Sequence, residues 1–344
     1  MPPMKTLKGQ AFDRPLFESV LKRRFFFTES FEIYRVARNW DGDNKGLYDY
    51  GPPGCALQAN LVDVWRKHFV LEENMLEIDC SVITPESVLK ASGHVDKFAD
   101  CMCKDPVRGE YLRANLLVEN VLETRLASGI KGPDRDSQKL SEATVAEHND
   151  VLAQIDNYDG DHLGELIKRL DIRNPLGNGE VLPPVPFNLM FKSTVGPSSA
   201  AHIYLRPDTV QGQFLNFKKL MDYNQGSIPF ASASIGKSYR NEISPRSGRL
   251  RVREFLLAEI EHYVDPDKKD HGRFSEVMGV ELPLLDRATQ LAGRSAPKIL
   301  TVQQAVEAKL IDNQTLGYFL ARAMLFLLIV GVDRSKIRFS SDNT

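Results

Sequence analysis

Phe230-Ala-Ser-Ala-Ser-Ile-Gly-Lys-Ser-Tyr-Arg240, then Asn241-Glu-Ile-Ser-Pro-Arg-Ser-Gly248, then Arg249-Leu-Arg-Val-Arg-Glu-Phe-Leu-Leu-Ala-Glu-Ile-Glu-His-Tyr-Val264: this run reads as two strands joined by a charged loop. The first part is small-residued and partly alternating. The middle holds Pro245, Ser247 and Gly248, which favour a turn. The last part alternates with period two, the signature of a strand. Leu250, Val252, Leu256, Ala258, Ile260 and Val264 fall on one face, with Glu254 and His262 as exceptions. Arg251, Arg253, Phe255, Leu257, Glu259 and Glu261 fall on the other, which a strand with one apolar face normally gives to water.

Two readings fit that polar face. One is a salt-bridged hairpin in solvent. The other is a binding surface on which basic residues lead, an aromatic follows and acids come last. Arg240, Arg251 and Arg253 offer planar forks of donors for phosphate oxygens. Phe255 offers a flat surface for a base, and Glu259 and Glu261 can hold an amine. A ligand with phosphate and base at one end and an ammonium at the other is an aminoacyl adenylate. One length constrains this reading. On a straight strand Arg251 and Glu259 would lie roughly 26 Å apart at about 3.3 Å per residue, longer than an adenylate. The regular strand must therefore begin near Arg253, with Arg251 on the loop.

Tyr239-Arg240-Asn241-Glu242 followed by Arg251-x-x-x-Phe255-x-x-x-Glu259 resembles motif 2 of class II aminoacyl-tRNA synthetases, in the form carried by the glycyl-tRNA synthetase family. Gly46-Leu-Tyr-Asp-Tyr-Gly-Pro-Pro-Gly54 running into Cys55-Ala-Leu57, Ser92-Gly-His-Val-Asp-Lys-Phe-Ala-Asp100 and Tyr204-Leu-Arg-Pro207 are similar to the same family, in the same order. The resemblance covers residues 18–344. It implies an α+β fold with an antiparallel sheet flanked by helices and a helical, partly irregular insertion. It implies a glycine–tRNA ligase that uses ATP and Mg²⁺, acts on glycine and tRNA(Gly), and forms a homodimer through motif 1. By resemblance Arg240 neutralises charge on the α-phosphate, Glu242 positions the nucleotide and Arg251 holds the terminal phosphates. Asn241 and Val252 line the nucleotide, Phe255 stacks on adenine, and Asp208, Glu259 and Arg206 hold glycine. Three positions depart from the family form around the amino-acid pocket: Asp208 for glutamate, Ser234 for glutamine, and the Ser-Ser-Ala-Ala run of residues 198–201 for a glycine-rich one. The alternative is an inactive or truncated synthetase-like paralogue that binds tRNA, nucleotide or a partner subunit. The family continues into motif 3 and an anticodon-binding domain, and neither is visible in this sequence.

The 344 residues carry a net charge of −2. That is ordinary for a globular chain, so any tRNA would be held by local patches rather than by global attraction. Cys55, Cys80, Cys101 and Cys103 form no Cys-x-x-Cys pair and no zinc spacing. Reduced thiols and a cytoplasmic location are expected, with an organelle as the other possibility. No apolar run is long enough to cross a bilayer.

Outside the hairpin, residues 13–27 read as a helix capped by Asp13 with Pro15 in its first turn. Residues 55–73 read as an amphipathic helix and 76–84 as a strand ended by Pro85. The polar stretch 92–100 reads as a structural loop. Residues 104–186 change character and read as an insertion, dividing the chain into 1–103, 104–186 and 187–344. A strand is expected over 187–196, a helix capped by Asp208 or Thr209 from there to about 224, a turn over 265–272, and helices over 302–310 and 316–330.

Overall fold

The computed structural model describes residues 6, 9–36, 46–130, 139–197, 201–243, 251–291 and 296–341. Pro245, Ser247, Gly248 and Leu250, residues 198–200 and residues 131–138 lie outside them. The fold is α+β, with short, mostly antiparallel sheets and flanking helices.

The hairpin forms as its alternation requires. Phe230–Tyr239 and Glu254–Tyr263 pair antiparallel without a break, from Phe230 opposite Tyr263 to Tyr239 opposite Glu254. Leu76–Glu77 adds a third, parallel strand on the other side of Phe230–Tyr239. Opposed residues share a face, so Ser232, Ser234, Gly236 and Ser238 stand beside Glu261, Glu259, Leu257 and Phe255. The opposite face carries Ala231, Ala233 and Ile260, which pack on Trp65, Phe69, Val70, Met75, Phe319 and Phe326. This apolar face is core at one end only. Ala258 and Glu254 are exposed, and Glu254 pairs with Lys237 at 2.9 Å in solvent. The face leaves the core at this end of the hairpin.

Several expected boundaries shift. The first helix is Arg14–Arg23, capped by Asp13, whose carboxylate accepts from Leu16 N–H at 3.0 Å; Phe25, at φ +51°, closes it four residues after Leu21. The long helix starts at Pro52, Pro52–Trp65, and runs without interruption into π-type turns over Arg66–Leu71, which bury His68, Phe69 and Val70. The single strand expected over 76–84 is two, Leu76–Glu77 and Ile83–Pro85, in different sheets. Pro85 belongs to the strand, at its last position, and the strand lies at the edge of its sheet, where a missing donor is tolerated. Likewise 187–196 splits into Val185–Asn188 and Lys192–Val195. Between them Asn188 Oδ1 accepts from Met190 N–H at 2.9 Å, and Leu189 and Met190 turn inward.

Ala99–Lys104 pairs antiparallel with both Tyr111–Arg113 and Val185–Asn188. From this neck rise the helices Ala114–Ser128, Glu142–Ala153 and Gly160–Arg169, around a core of their own that includes Leu117, Val118, Leu122, Val151, Leu163 and Leu166. The C-terminal helices are Val302–Glu307, opened by a Thr301/Gln304 capping box, and Gln314–Ile329. They pack on Glu281–Leu285 and Lys298–Thr301 as a third core. Arg322 and Glu73, both nearly buried, join that core to the long helix with a 2.9 Å charge contact.

Candidate active site

The strands put Arg240 one residue beyond the end of Phe230–Tyr239. Its N–H donates to Arg253 O at 3.0 Å, and Arg253 N–H donates to Gly46 O at 2.8 Å. The Gly/Pro/Tyr-rich stretch 46–54 is thereby tied to the hairpin mouth. The Arg240 guanidinium lies between two rings, 5.3 Å from the centroid of Phe98 and 5.5 Å from that of Phe255. Stacking of this kind favours the planar cation. Nη2 donates to Asp208 Oδ1 at 2.5 Å. The Arg240 side chain remains 34% exposed, whereas that of Asp208 is 14% exposed.

Asp208 and Thr209 do not cap the following helix with their side chains. That helix is broken at Asn216 into Val210–Leu215 and Phe217–Tyr223. Their side chains are committed to the site instead. Asp208 Oδ2 faces His94 Nε2 at 3.1 Å. Glu259 Oε2 accepts from Thr209 N–H at 2.7 Å and from its hydroxyl at 2.5 Å. Next along the same face, burial and then the Glu259 charge push the Glu261 carboxyl up.

The structure brings Arg240, Asp208, Glu259 and Phe255 together on one side of the hairpin. Arg251 lies off the strand, which starts at Glu254, as the length limit requires. Asn241 is fixed through its backbone, donating to Leu189 O at 2.6 Å. The Glu242 carbonyl accepts from Arg253 Nη2 at 3.1 Å. Val252 lies at the mouth, half-buried. Arg206 does not join the cluster as a free ligand-holding group. It is 4% exposed, and its Nε and Nη1 donate to the carbonyls of Lys237 at 3.0 Å and Cys80 at 2.7 Å. Its guanidinium lies against Gly236, where a Cβ would stand 2.0 Å from Nη2.

Sequence reasoning missed Phe98, His94, Asp100 and Gln211. Stretch 92–100 is not a plain loop: a short helix His94–Lys97 precedes the neck strand, and its ends deliver a ring and an imidazole to the site. Asp100 pairs with Arg113 at 2.8 Å. Burial raises its carboxyl, while the charges of Arg113, Arg251 and Arg240 pull it down. Burial outweighs those charges, and the Asp100–Arg113 pair at the neck is a feature only the fold could reveal. Among the described residues, the polar atoms buried without a partner on this side include Ser234 Oγ, Ser238 Oγ, Asp100 Oδ2 and Gln211 Oε1. Such atoms are scarce in folded proteins and mark places where a ligand or water completes the set.

Among the described residues, no group of three His, Cys, Asp or Glu could hold a metal ion. No described helix is long and apolar enough to cross a membrane.

A two-stranded antiparallel platform with an arginine at its mouth, an aromatic facing it and carboxylates deeper in is the arrangement that the resemblance to class II aminoacyl-tRNA synthetases implies. Sequence comparison agrees. The chain is 54% identical over 354 aligned residues to a Schizosaccharomyces pombe protein provisionally named glycine–tRNA ligase, covering 96% of this chain and 53% of that one. It is 50% identical to glycine–tRNA ligase 1, mitochondrial, of Saccharomyces cerevisiae, over 95% of this chain and 50% of that one. With the glycine–tRNA ligase of Caenorhabditis elegans identity is 46%, over 96% and 42%. The chain belongs to the glycine–tRNA ligase family. It spans about half the length of the curated relatives it matches. No protein-family profile matches it. Among solved structures, the RNA binding domain of threonyl-tRNA synthetase from Cryptosporidium parvum shares 16% identity at a TM-score of 0.41, over 79% of this chain and 44% of that one, too slight a likeness to rest anything on.

Proposed function

We propose that this chain forms the adenylate-making site of a glycine–tRNA ligase. The observation that carries this is the Arg240 guanidinium held between Phe98 and Phe255 and clasped by Asp208, at the mouth of a face that ends in Glu259 and Glu261. A glycine carboxylate oxygen attacks the α-phosphorus of ATP, and the bond from that phosphorus to the pyrophosphate oxygen breaks. Arg240 is already oriented toward the charge that grows there, so no reorganisation is needed during the step. Arg251 holds the departing phosphates, and Asn241, Glu242 and Val252 seat the nucleotide. Phe255 stacks on adenine. Mg²⁺ would arrive with ATP and supply positive charge at the phosphate oxygens. Asp208 and Glu259 receive the glycine ammonium. The 3′-terminal ribose hydroxyl of tRNA(Gly) then attacks the glycyl carbonyl and displaces AMP. No nucleophilic side chain takes part, because positioning supplies most of the effect.

In this reading residues 1–103 and 187–344 build the catalytic core, 104–186 form an inserted unit near the tRNA, and the long helix Pro52–Trp65 faces a second copy in a cytoplasmic homodimer. Exposed Leu57 and Leu61 on that helix support the dimer. The test is glycine-dependent ATP–pyrophosphate exchange by the complete polypeptide. Arg240→Ala is expected to reduce it by about 10²-fold or more. Exchange that ignores glycine, or that survives Arg240→Ala, refutes the reading.

A further inference from the structure

Asp208 is gripped from two sides, and only one grip has a place in the chemistry above. Oδ1 faces Arg240; Oδ2 faces His94 Nε2. The other ring nitrogen of His94, Nδ1, stands 2.9 Å from Ser92 Oγ. The imidazole also lies 5.3 Å, centroid to centroid, from Phe98, the ring that covers Arg240.

A carboxylate oxygen only accepts, so His94 Nε2 must carry a hydrogen. Gln211 Nε2 lies 3.3 Å from that same nitrogen, donor against donor, while Gln211 Oε1 is buried with no partner. Turning the amide over removes that clash: Oε1 then shares the one Nε2 hydrogen with Asp208 as the longer, 3.3 Å contact. With the hydrogen on Nε2, Nδ1 is left to accept from the Ser92 hydroxyl. Ser92, His94 and Asp208 then form one connected network, and its two ends set the tautomer.

We propose that His94 is a positioning residue for amino-acid recognition, donating to Asp208 so that its carboxylate meets Arg240 through one oxygen only. This rests on the ligase reading above. A carboxylate beside a guanidinium favours the two-contact fork. Closing that fork would occupy both groups that the amino-acid end of the substrate needs. His94 holds Oδ2 away, which leaves a lone pair for the ammonium and leaves Arg240 donors for the substrate oxygens. Aspartate, shorter than glutamate by one methylene, depends on such a hold because its reach is less. The nucleotide end, at Arg251 and Phe255, is untouched.

The test compares His94→Ala, His94→Asn and His94→Gln in the exchange assay, with glycine and ATP varied separately. His94→Ala and His94→Asn are expected to raise the glycine KM by about tenfold and to change the ATP KM by less than about twofold, the loss of one charge-assisted hydrogen bond. His94→Gln, whose amide nitrogen reaches the Nε2 position, returns the glycine KM to within about threefold of wild type. An unchanged glycine KM in His94→Ala, a parallel rise in both KM values, or no rescue by His94→Gln overturns the proposal. Wild-type protein without glycine-dependent exchange refutes the ligase reading instead. The imidazole ¹⁵N shifts then decide on His94 without turnover: the Nε2–H tautomer, lost in Asp208→Ala, supports the hold, and the Nδ1–H tautomer overturns it.

Discussion

Replacing Gly236 by alanine tests what Arg206 does. The added Cβ would stand 2.0 Å from Arg206 Nη2, so the guanidinium must move. A surface arginine would swing away at little cost, but this one is 4% exposed and donates to the carbonyls of Lys237 and Cys80. Moving it breaks two hydrogen bonds from a charged donor, about 1.5–3 kcal/mol each. Alanine in a strand recovers roughly 0.5–1 kcal/mol of the glycine penalty. The expected net loss is therefore about 2–5 kcal/mol, read as a fall in the urea midpoint by far-UV circular dichroism. The cause is isolated by a double-mutant cycle: in an Arg206→Leu background, Gly236→Ala should cost less than about 1 kcal/mol, because the clash has gone. A similar loss in both backgrounds refutes the clash. A Gly236→Ala protein of wild-type stability with an altered glycine KM refutes the structural role and returns Arg206 to the amino-acid pocket.

Glu73→Ala should destabilise the protein by about 1.5–3 kcal/mol, since it removes one of the two carboxylates paired with buried Arg322 and leaves only Glu72. The same carboxylate accepts from Tyr318 Oη at 2.8 Å and Arg273 Nη1 at 2.9 Å. A drop in melting temperature of less than a few degrees would show that the pair is not structural. Burial holds the imidazoles of His68, His262 and His271 below their usual 6.5, with the Arg273 charge adding to the effect at His271. A histidine kept neutral in the fold but free to ionise when unfolded stabilises fully above its unfolded value, and that contribution is lost as pH falls from there through the folded one. Stability should thus decline as pH drops below about 6.5. In His262→Gln the decline should be shallower; an unchanged slope in thermal melts counts against burial as the cause.

The hairpin was legible because its two signals agree. Period two places Phe255, Glu259 and Glu261 on one face, and the reach of an adenylate forces Arg251 off the strand. The shared face of Asp208 and Arg240 was available only through family resemblance, since thirty-odd residues separate them and no periodicity links them. His94 was misjudged for a related reason. Its neighbours in sequence explain one ring nitrogen, through Ser92, but its other nitrogen meets a residue 114 positions away. Arg206 was misassigned because a guanidinium that grips carbonyls looks, in sequence, like one that grips a ligand. The two broken strands escaped notice because a short turn such as Leu189-Met190 is as apolar as the strands it separates.

The neck formed by Ala99–Lys104 and Val185–Asn188 has a bearing on how this chain can change over generations. The polypeptide leaves and re-enters at adjacent backbone positions, Ala99 opposite Asn188, and the helices beyond carry their own core. Lengthening, shortening or exchanging what lies past the neck alters no strand register in the hairpin. Variation is free there and constrained at the base, where the same segment carries Phe98 and Asp100. A lineage could refit the outer unit to a new partner and inherit the Arg240 site unaltered.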